Sequence, residues 1–295
     1  KGGYLQELGD FSATHCVNEH FLEKLKILNG TYVLPLSVNY RGIFYNRRMM
    51  EEDGYQIPST YAELIHTMQQ IKKARKLPIV FADKDSWTIH QGWDAIDMSS
   101  RGSQDNLFQN VLNGTTVLYE DPIALDSTRK FLEIRQYGQK QTINTGYDEA
   151  VKKFAKGEAY MFLQGNWAYP IIKKINPYMD LLFMPFPTYN ENQARIVVKI
   201  DATLGVSASC KHPEAAGKFL DYVFSKNVSE YYADQAGAYS CIKSVDVADN
   251  YAKVFTDSIR SGEFFLEEFA YESEKSNARD VLFQNLTSSP QTYTE

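Results

Sequence analysis

Cysteine is scarce in this sequence of 295 residues: Cys16, Cys210 and Cys241 are the full set. An odd and widely spaced trio argues against a disulfide framework, although one bridge is compatible with it, and each is read as a small buried side chain. Long hydrophobic runs are missing as well. The longest apolar stretches, such as Leu181–Pro187, fall far short of the roughly 20 residues that a bilayer-spanning helix needs. Cationic excess is absent too: 31 Lys and Arg stand against 37 Asp and Glu, for a net charge of −6 and no basic stripe. Phosphate backbones are bound through clustered cations, so nucleic acid is not an expected partner. There is no Gly-x-Ser-x-Gly elbow, phosphate-cradling glycine loop or His-Glu-x-x-His helix, and hence no standard catalytic signature. Repeats, low-complexity segments and linker-like Pro/Gly/Ser runs are also lacking. The chain starts at Lys1 without a charged-then-apolar leader, so any targeting signal is expected to have been removed already.

What is present describes a globular α/β chain. Hydrophobic residues make up 43% and charged residues 23%, enough apolar surface for an ordinary core. Leu22, Leu25 and Leu28 mark a short helix stopped by Asn29-Gly30, a pair suited to positive φ. The runs from Thr31 to Tyr40 and from Gly42 to Asn46 are rich in β-branched and aromatic residues and read as two strands, with Pro35 near an edge or an end. Thr60 and Glu63 form a capping box for a helix whose Leu64, Ile65, Met68 and Ile71 share one face. The apolar run that starts at Leu77 is the strand that completes a β-α-β unit. Further on, Asp121-Pro122 starts a helix with Phe131, Ile134 and Tyr137 on one face. A helix from Tyr147 ends at Gly157, and strands follow from Ala159 and Leu181. Pro213 opens a helix with Ala216, Phe219, Leu220 and Val223 inward, and helices are expected around Tyr251–Ile259 and over 278–286.

Several groupings could carry chemistry. Cys16 and His20 would share a face of one helix, but a closed metal site needs a further partner that is not nearby, so surface polarity is the default and no metal or cofactor is expected. Carboxylates cluster at Glu51-Glu52-Asp53 and Glu267-Glu268, and solvated charge is the default there; a glycosidase needs two that face each other across a bond. Aromatics are more telling. Trp87, Trp93 and Trp167 are placed in loops that follow strands or begin helices, with His90, Asp94, Asn166 and Asp201 in comparable places. Ligands of open α/β sheets bind outside the carboxyl ends of strands. An indole face there packs on the C–H face of a sugar ring while amides and carboxylates take its hydroxyls. For each tryptophan singly, core filling is an equal alternative, and Trp93 is read as core.

Five blocks carry a family resemblance. They are Gly30 to Met50; Gly54 with Pro58 and Thr60-Tyr-Ala-Glu-Leu64; Phe154 to Trp167; Pro185-Phe-Pro187; and Leu204 to Leu220 with Ser225. In this order they resemble the carbohydrate-binding class of ABC-transporter extracellular solute-binding proteins, the family of maltose-binding protein. The resemblance implies a two-lobed, clamshell α/β fold with ligand between the lobes. Strand crossings would fall near Val38–Arg41, Lys199–Thr203 and Ser240–Val245. Residues 1–41 plus 202–245 would then form an N-terminal lobe, and 42–201 plus 246–295 a C-terminal one. Family members carry a further portion before the block at Gly30, so the N-terminal lobe is expected to be incomplete here.

Position by position, the resemblance implies ligand-binding roles for Asn39 near a hinge, Arg41 (equally a hinge brace), Trp87 and His90 in one loop, Trp167 as an aromatic platform, and Asp201 where the chain re-enters the cleft. It also implies a non-catalytic, monomeric receptor on the extracellular face or in the periplasm, peripheral to the membrane through a lipid anchor. Such a receptor delivers a sugar or oligosaccharide to an ABC-transporter permease. Two rivals stay open: the same fold holding iron, a polyamine, a phosphonate or a peptide, and a carbohydrate-active hydrolase.

Overall fold

The computed structural model describes residues 2–101, 107–188, 196–245, 250–267 and, singly, 281, 284, 285 and 287. The helix expected over 278–286 lies almost wholly outside the described residues. Two short helices come first, α1 (Ser12–Cys16) and α2 (Glu19–Lys24). A two-residue turn follows, in which Ile27 and Gly30 exchange backbone hydrogen bonds of 3.0 and 2.9 Å. The residues with positive φ are Leu28 (50°) and Asn29 (66°), one position earlier than the Asn29-Gly30 expectation. α2 stops at Lys24, and Leu28 is 86% exposed. A leucine there is tolerated because its side chain projects into solvent from a turn that needs two left-handed residues.

β1 (Leu34–Pro35) is a two-residue strand, and β2 (Ser37–Asn46) runs unbroken through Arg41 and Gly42, so the two expected strands are largely one. Gly42 does not end it; a Cβ at this position would lie 2.2 Å from the Met184 carbonyl oxygen. Glycine is used there for close approach of a neighbouring backbone. α3 (Arg47–Glu52) and α4 (Tyr61–Lys73) follow, the latter opened by the full Thr60–Glu63 capping box. Leu64, Ile65, Met68 and Ile71 are all buried.

The remaining order is β3 (Leu77–Val80), α5 (Ser86–Ser100), α6 (Leu107–Leu112), α7 (Pro122–Arg135), α8 (Tyr147–Ala155), β4 (Ala159–Gly165), α9 (Tyr169–Ile175), β5 (Leu181–Met184), β6 (Val197–Ile200), β7 (Thr203–Leu204), α10 (Pro213–Val223), α11 (Lys226–Ala236), β8 (Tyr239–Ser240), α12 (Lys253–Ser261) and β9 (Phe265–Leu266). β3 pairs in parallel with β4, and β4 is antiparallel to β2. The parallel crossover therefore joins β3 to β4 through α5–α8; β2 and β3 are not adjacent, so the expected β-α-β unit with β2 does not form. In α10, Leu220 is buried but Phe219 is 57% exposed, against the inward placement expected of it. Cys16 is exposed and Cys210 intermediate; of the three cysteines only Cys241 is buried. Cys16 ends α1 while His20 lies in α2, and the extended Val17 between them prevents a shared helical face. Among the described residues no group of three or more His, Cys, Asp or Glu could hold a metal ion.

β2 organises the rest. Its first part, Ser37–Tyr40, pairs with β8 and β6; its second part, Arg41–Asn46, pairs with β4 and β5. Alternation along the second part divides the core. Ile43 and Tyr45 pack with α4, α5 and α7 through Met68, Trp93 and Phe131. Phe44 points to the opposite layer, with Phe154 of α8, Ile172 of α9 and Phe255 of α12. That second cluster continues along Val38 and Tyr40 to Ile200, Leu220 and Ile242.

Candidate functional site

Where β2 changes partners, a cleft of about 420 Å³ opens, lined by Asn39, Arg41, Trp87, Gln91, Trp167, Lys199, Asp201 and Ala236. Five of the six residues proposed from sequence stand in this one wall: Asn39, Arg41, Trp87, Trp167 and Asp201. His90 does not. It is 7% exposed on α5, and the position lining the cleft is its neighbour Gln91. Trp87 and Gln91 are four apart on the same helix and so share a face, which makes α5, not a loop, the element that presents them. Trp93, on the same helix, is fully buried, and its Nε1 donates to Thr128 Oγ1 at 3.0 Å. Its reading as core holds, though it lies within a helix instead of a loop.

Each lining residue has a local cause. Asn39 and Arg41 are two apart on β2 and point the same way; Lys199 is directly opposite Asn39 on β6. Asn39 is held by Asn166, whose Nδ2 donates to Asn39 Oδ1 at 3.2 Å and to the Gly237 carbonyl at 2.5 Å, and whose Oδ1 accepts from the Tyr40 N–H at 2.8 Å. Asn166 is completely buried, so one amide fixes the end of β4 against β2 and α11. Trp167 follows on a single 3-10 turn, and its ring folds back over Gly165, where a Cβ would lie 2.0 Å from the indole. Asp201 accepts from Ser37 Oγ at 3.5 Å. It keeps contact with solvent, yet crowding by the cleft walls raises its carboxyl above the usual range, opposed by hydrogen bonds from Ser37 and Asn39 and by the charge of Lys199.

Arg41 has the most constrained environment. Its Nη1 meets Glu267 Oε2 at 2.9 Å and its Nε donates to Gln91 Oε1. Burial pulls its pKa down, but the charges of Glu267 and Asp94 outweigh that and raise it, so the cation is held. Glu267 is not the solvated charge expected from its doublet: its side chain is 12% exposed. The cleft thus offers two indoles 6.1 Å apart at 54°, amides from Asn39 and Gln91, a cation from Lys199 and a carboxylate from Asp201. Among its described lining residues Asp201 is the one carboxylate and no tyrosine appears.

Gln91 and Lys199 were missed from sequence. The four-residue step from Trp87 would have found Gln91, and the two-residue step back from Asp201 along a strand would have found Lys199.

No helix among the described residues is long and apolar enough to cross a membrane. Over 250 residues the chain is 26% identical to the multiple sugar-binding protein of Streptococcus mutans, covering 83% of this chain and 59% of that protein. The chain therefore spans little more than half the length of that relative. The solute-binding protein RafE in complex with raffinose superposes with a TM-score of 0.82 at 22% identity, covering 98% of this chain and 77% of that one. A protein described as a sugar transporter from Bacillus licheniformis, in complex with stachyose, gives 0.80 at 20% identity, with coverage of 98% and 77%. The fold is accordingly the two-lobed α/β fold of solute-binding proteins. The family model described as bacterial extracellular solute-binding protein matches residues 1–229, well over half of the sequence, and the chain belongs to that family.

Proposed function

We propose that this chain forms the ligand-holding part of an extracellular receptor that captures a sugar or oligosaccharide between two lobes and delivers it to an ABC-transporter permease. The observation that carries this reading is the pairing of the Trp87 and Trp167 rings with Asn39, Gln91, Lys199 and Asp201 in one cleft. Indole faces match the apolar face of a pyranose, and the ring of polar side chains matches its hydroxyls. The proposed lobes are residues 1–41 with 202–245 and residues 42–201 with 246–295. Contacts made from both sides only on closure would favour the closed state, which the permease reads. The raffinose and stachyose complexes of structural neighbours agree with this chemistry.

A hydrolase would require a second carboxylate facing Asp201, and a ferric site would require phenolates; the described lining residues support neither. The test is calorimetry with three homologous series: galactose to stachyose through melibiose and raffinose, xylose to xylotetraose, and N-acetylglucosamine to chitotriose. At least one series is expected to bind and to be recovered unchanged by chromatography. Trp167→Ala is expected to cost about 2–4 kcal/mol of binding, roughly 30- to 700-fold in Kd, without lowering the melting temperature in proportion. Binding by no series, or shortening of the sugar on incubation, refutes the receptor reading.

A further inference from the structure

Asn166 is not among the residues that line the cleft, yet its amide decides which way Asn39 faces. The side chain is fully buried on the 3-10 turn after β4. Two of its three partners are backbone groups with one possible role each. The Tyr40 N–H can only donate, and Asn166 Oδ1 accepts it at 2.8 Å; the Gly237 carbonyl can only accept, and Asn166 Nδ2 donates to it at 2.5 Å. Turning this buried amide over would set oxygen against oxygen and N–H against N–H, so its orientation is fixed. The seat is built for it. Gly237 ends α11 at φ 63°, and a Cβ there would lie 2.7 Å from the Asn166 carbonyl oxygen. Glycine is what lets the end of α11 come this close in a left-handed conformation.

The other hydrogen of Asn166 Nδ2 goes to Asn39 Oδ1 at 3.2 Å. Asn39 therefore turns its oxygen toward Asn166 and its Nδ2 away, where it donates to Asp201. An amide nitrogen carries two hydrogens, so a second N–H is left for the cleft that Asn39 lines. Asp201 also accepts from Ser37 Oγ at 3.5 Å and lies beside the Lys199 ammonium of β6. Two more titratable groups feel its charge, Tyr232 of α11 and Cys241 just after β8; burial raises the pKa of both, so both stay neutral while Asp201 titrates in acid. Hydrogen bonds thus run one way, with Asn166 donating to Asn39 and Asn39 donating to Asp201.

We propose that Asn166 is a positioning residue for the cleft: by holding the Asn39 oxygen away from Asp201, it makes this wall offer a ligand hydroxyl an Asn39 donor beside an Asp201 acceptor. The ligand side of this rests on the receptor reading above; the orientation of Asn39 does not.

The test is carboxyl carbon NMR of Asp201 through an acid titration of the ligand-free full chain. Asn39→Leu keeps the shape and removes both polar ends. It is expected to raise the Asp201 midpoint by about half a pH unit or more, the effect of one hydrogen bond to a charged group; were the Asn39 oxygen facing Asp201, the same variant would lower it. Asn166→Ala is expected to raise the midpoint by a smaller amount, and to add nothing in the Asn39→Leu background, because it acts through Asn39. A merely supporting role would move both backgrounds alike. Asn39 is half-buried, so the sign of its effect decides the orientation even where Asn166→Ala does not fold, which a melting curve checks. With whichever of the three sugar series binds, Asn166→Ala is expected to weaken Kd about 3- to 10-fold, and not at all in the Asn39→Leu background. A lowered or unmoved midpoint in Asn39→Leu, an unmoved one in folded Asn166→Ala, or additive losses in the double variant overturns this inference. Binding by no series refutes the receptor reading, and the titration still decides the role of Asn166.

Discussion

Glu267→Gln is the sharpest probe of how the cleft is braced. The substitution keeps the shape and an acceptor for Arg41 but removes the counter-charge. Arg41 and Glu267 side chains are 8% and 12% exposed and meet at 2.9 Å. At an effective dielectric of 20, two unit charges at that separation attract by about 6 kcal/mol before desolvation is counted. Removing one partner of such a buried pair typically costs about 3–5 kcal/mol, because the remaining charge is left uncompensated. Asp94 also bears on Arg41 and stays in place, which puts the expectation near 3 kcal/mol at the lower end of that range. For a chain of this size that corresponds to a fall in melting temperature of roughly 6 °C, read by differential scanning calorimetry. Replacing both partners, Arg41→Met with Glu267→Leu, is expected to recover only part of the loss, since Asp94, 1% exposed, is then left without the Arg41 cation. If Glu267→Gln melts within about 1 °C of the wild type, the pair is not a brace and the argument fails.

Three further outcomes are expected. Gly42→Ala places a Cβ 2.2 Å from the Met184 carbonyl oxygen; the β2–β5 pairing must shift, at a cost of about 1–3 kcal/mol or more, visible as faster amide exchange at Ile43 and Phe44, and unchanged exchange there contradicts it. Thr60→Ala removes the acceptor of the Glu63 N–H and should lower stability by about 0.5–2 kcal/mol in urea titration. Asp121 has its pKa lowered chiefly by the hydrogen bond from Arg101, with a further contribution from the Ala124 N–H. A depressed carboxyl stabilises above its unfolded value of about 3.9 and loses that contribution as pH falls through its folded value. Melting curves from pH 7 to pH 3 should therefore show the gap between the wild type and Asp121→Asn narrowing in acid; a widening gap has the wrong sign.

Local signals were readable in the sequence wherever the cause is local. The Thr60–Glu63 box, the Asp121-Pro122 start and the Gly157 stop each depend on residues within one turn, and all appear where expected. Failures occur where a distant neighbour decides. β2 read as two strands, 31–40 and 42–46, because nothing around Gly42 in the sequence announces the Met184 carbonyl it packs against in one continuous strand. Glu267 looked solvated because its partner is 226 positions away. His90 and Gln91 are adjacent, and which of them reaches the cleft depends on the rotation of α5, set by Trp93 and Ile96 inside the core. Asn39, Trp167 and Asp201 were placed by resemblance to a family instead of by periodicity; their meeting in one wall is a property of the tertiary fold.

The position of the cleft relative to β2 has a mechanical consequence on the proposed function. β2 exchanges one pair of neighbours for another between Tyr40 and Arg41, so a rotation of the proposed lobes would be concentrated in the backbone that presents Asn39 and Arg41. Asn39 is fastened by Asn166 to β4 and α11, and Arg41 by Glu267 to the segment after β9 and by Gln91 to α5. A ligand that hydrogen-bonds Asn39 and Gln91 while stacking on Trp167 therefore touches groups tied to both sets of strands. On that proposal its binding energy would act directly on the angle between them, because the proposed contacts and the proposed hinge share one short stretch of strand. A protein with the hinge remote from the cleft would need a relay for this coupling, whereas under the proposed function two residues of β2 would be enough.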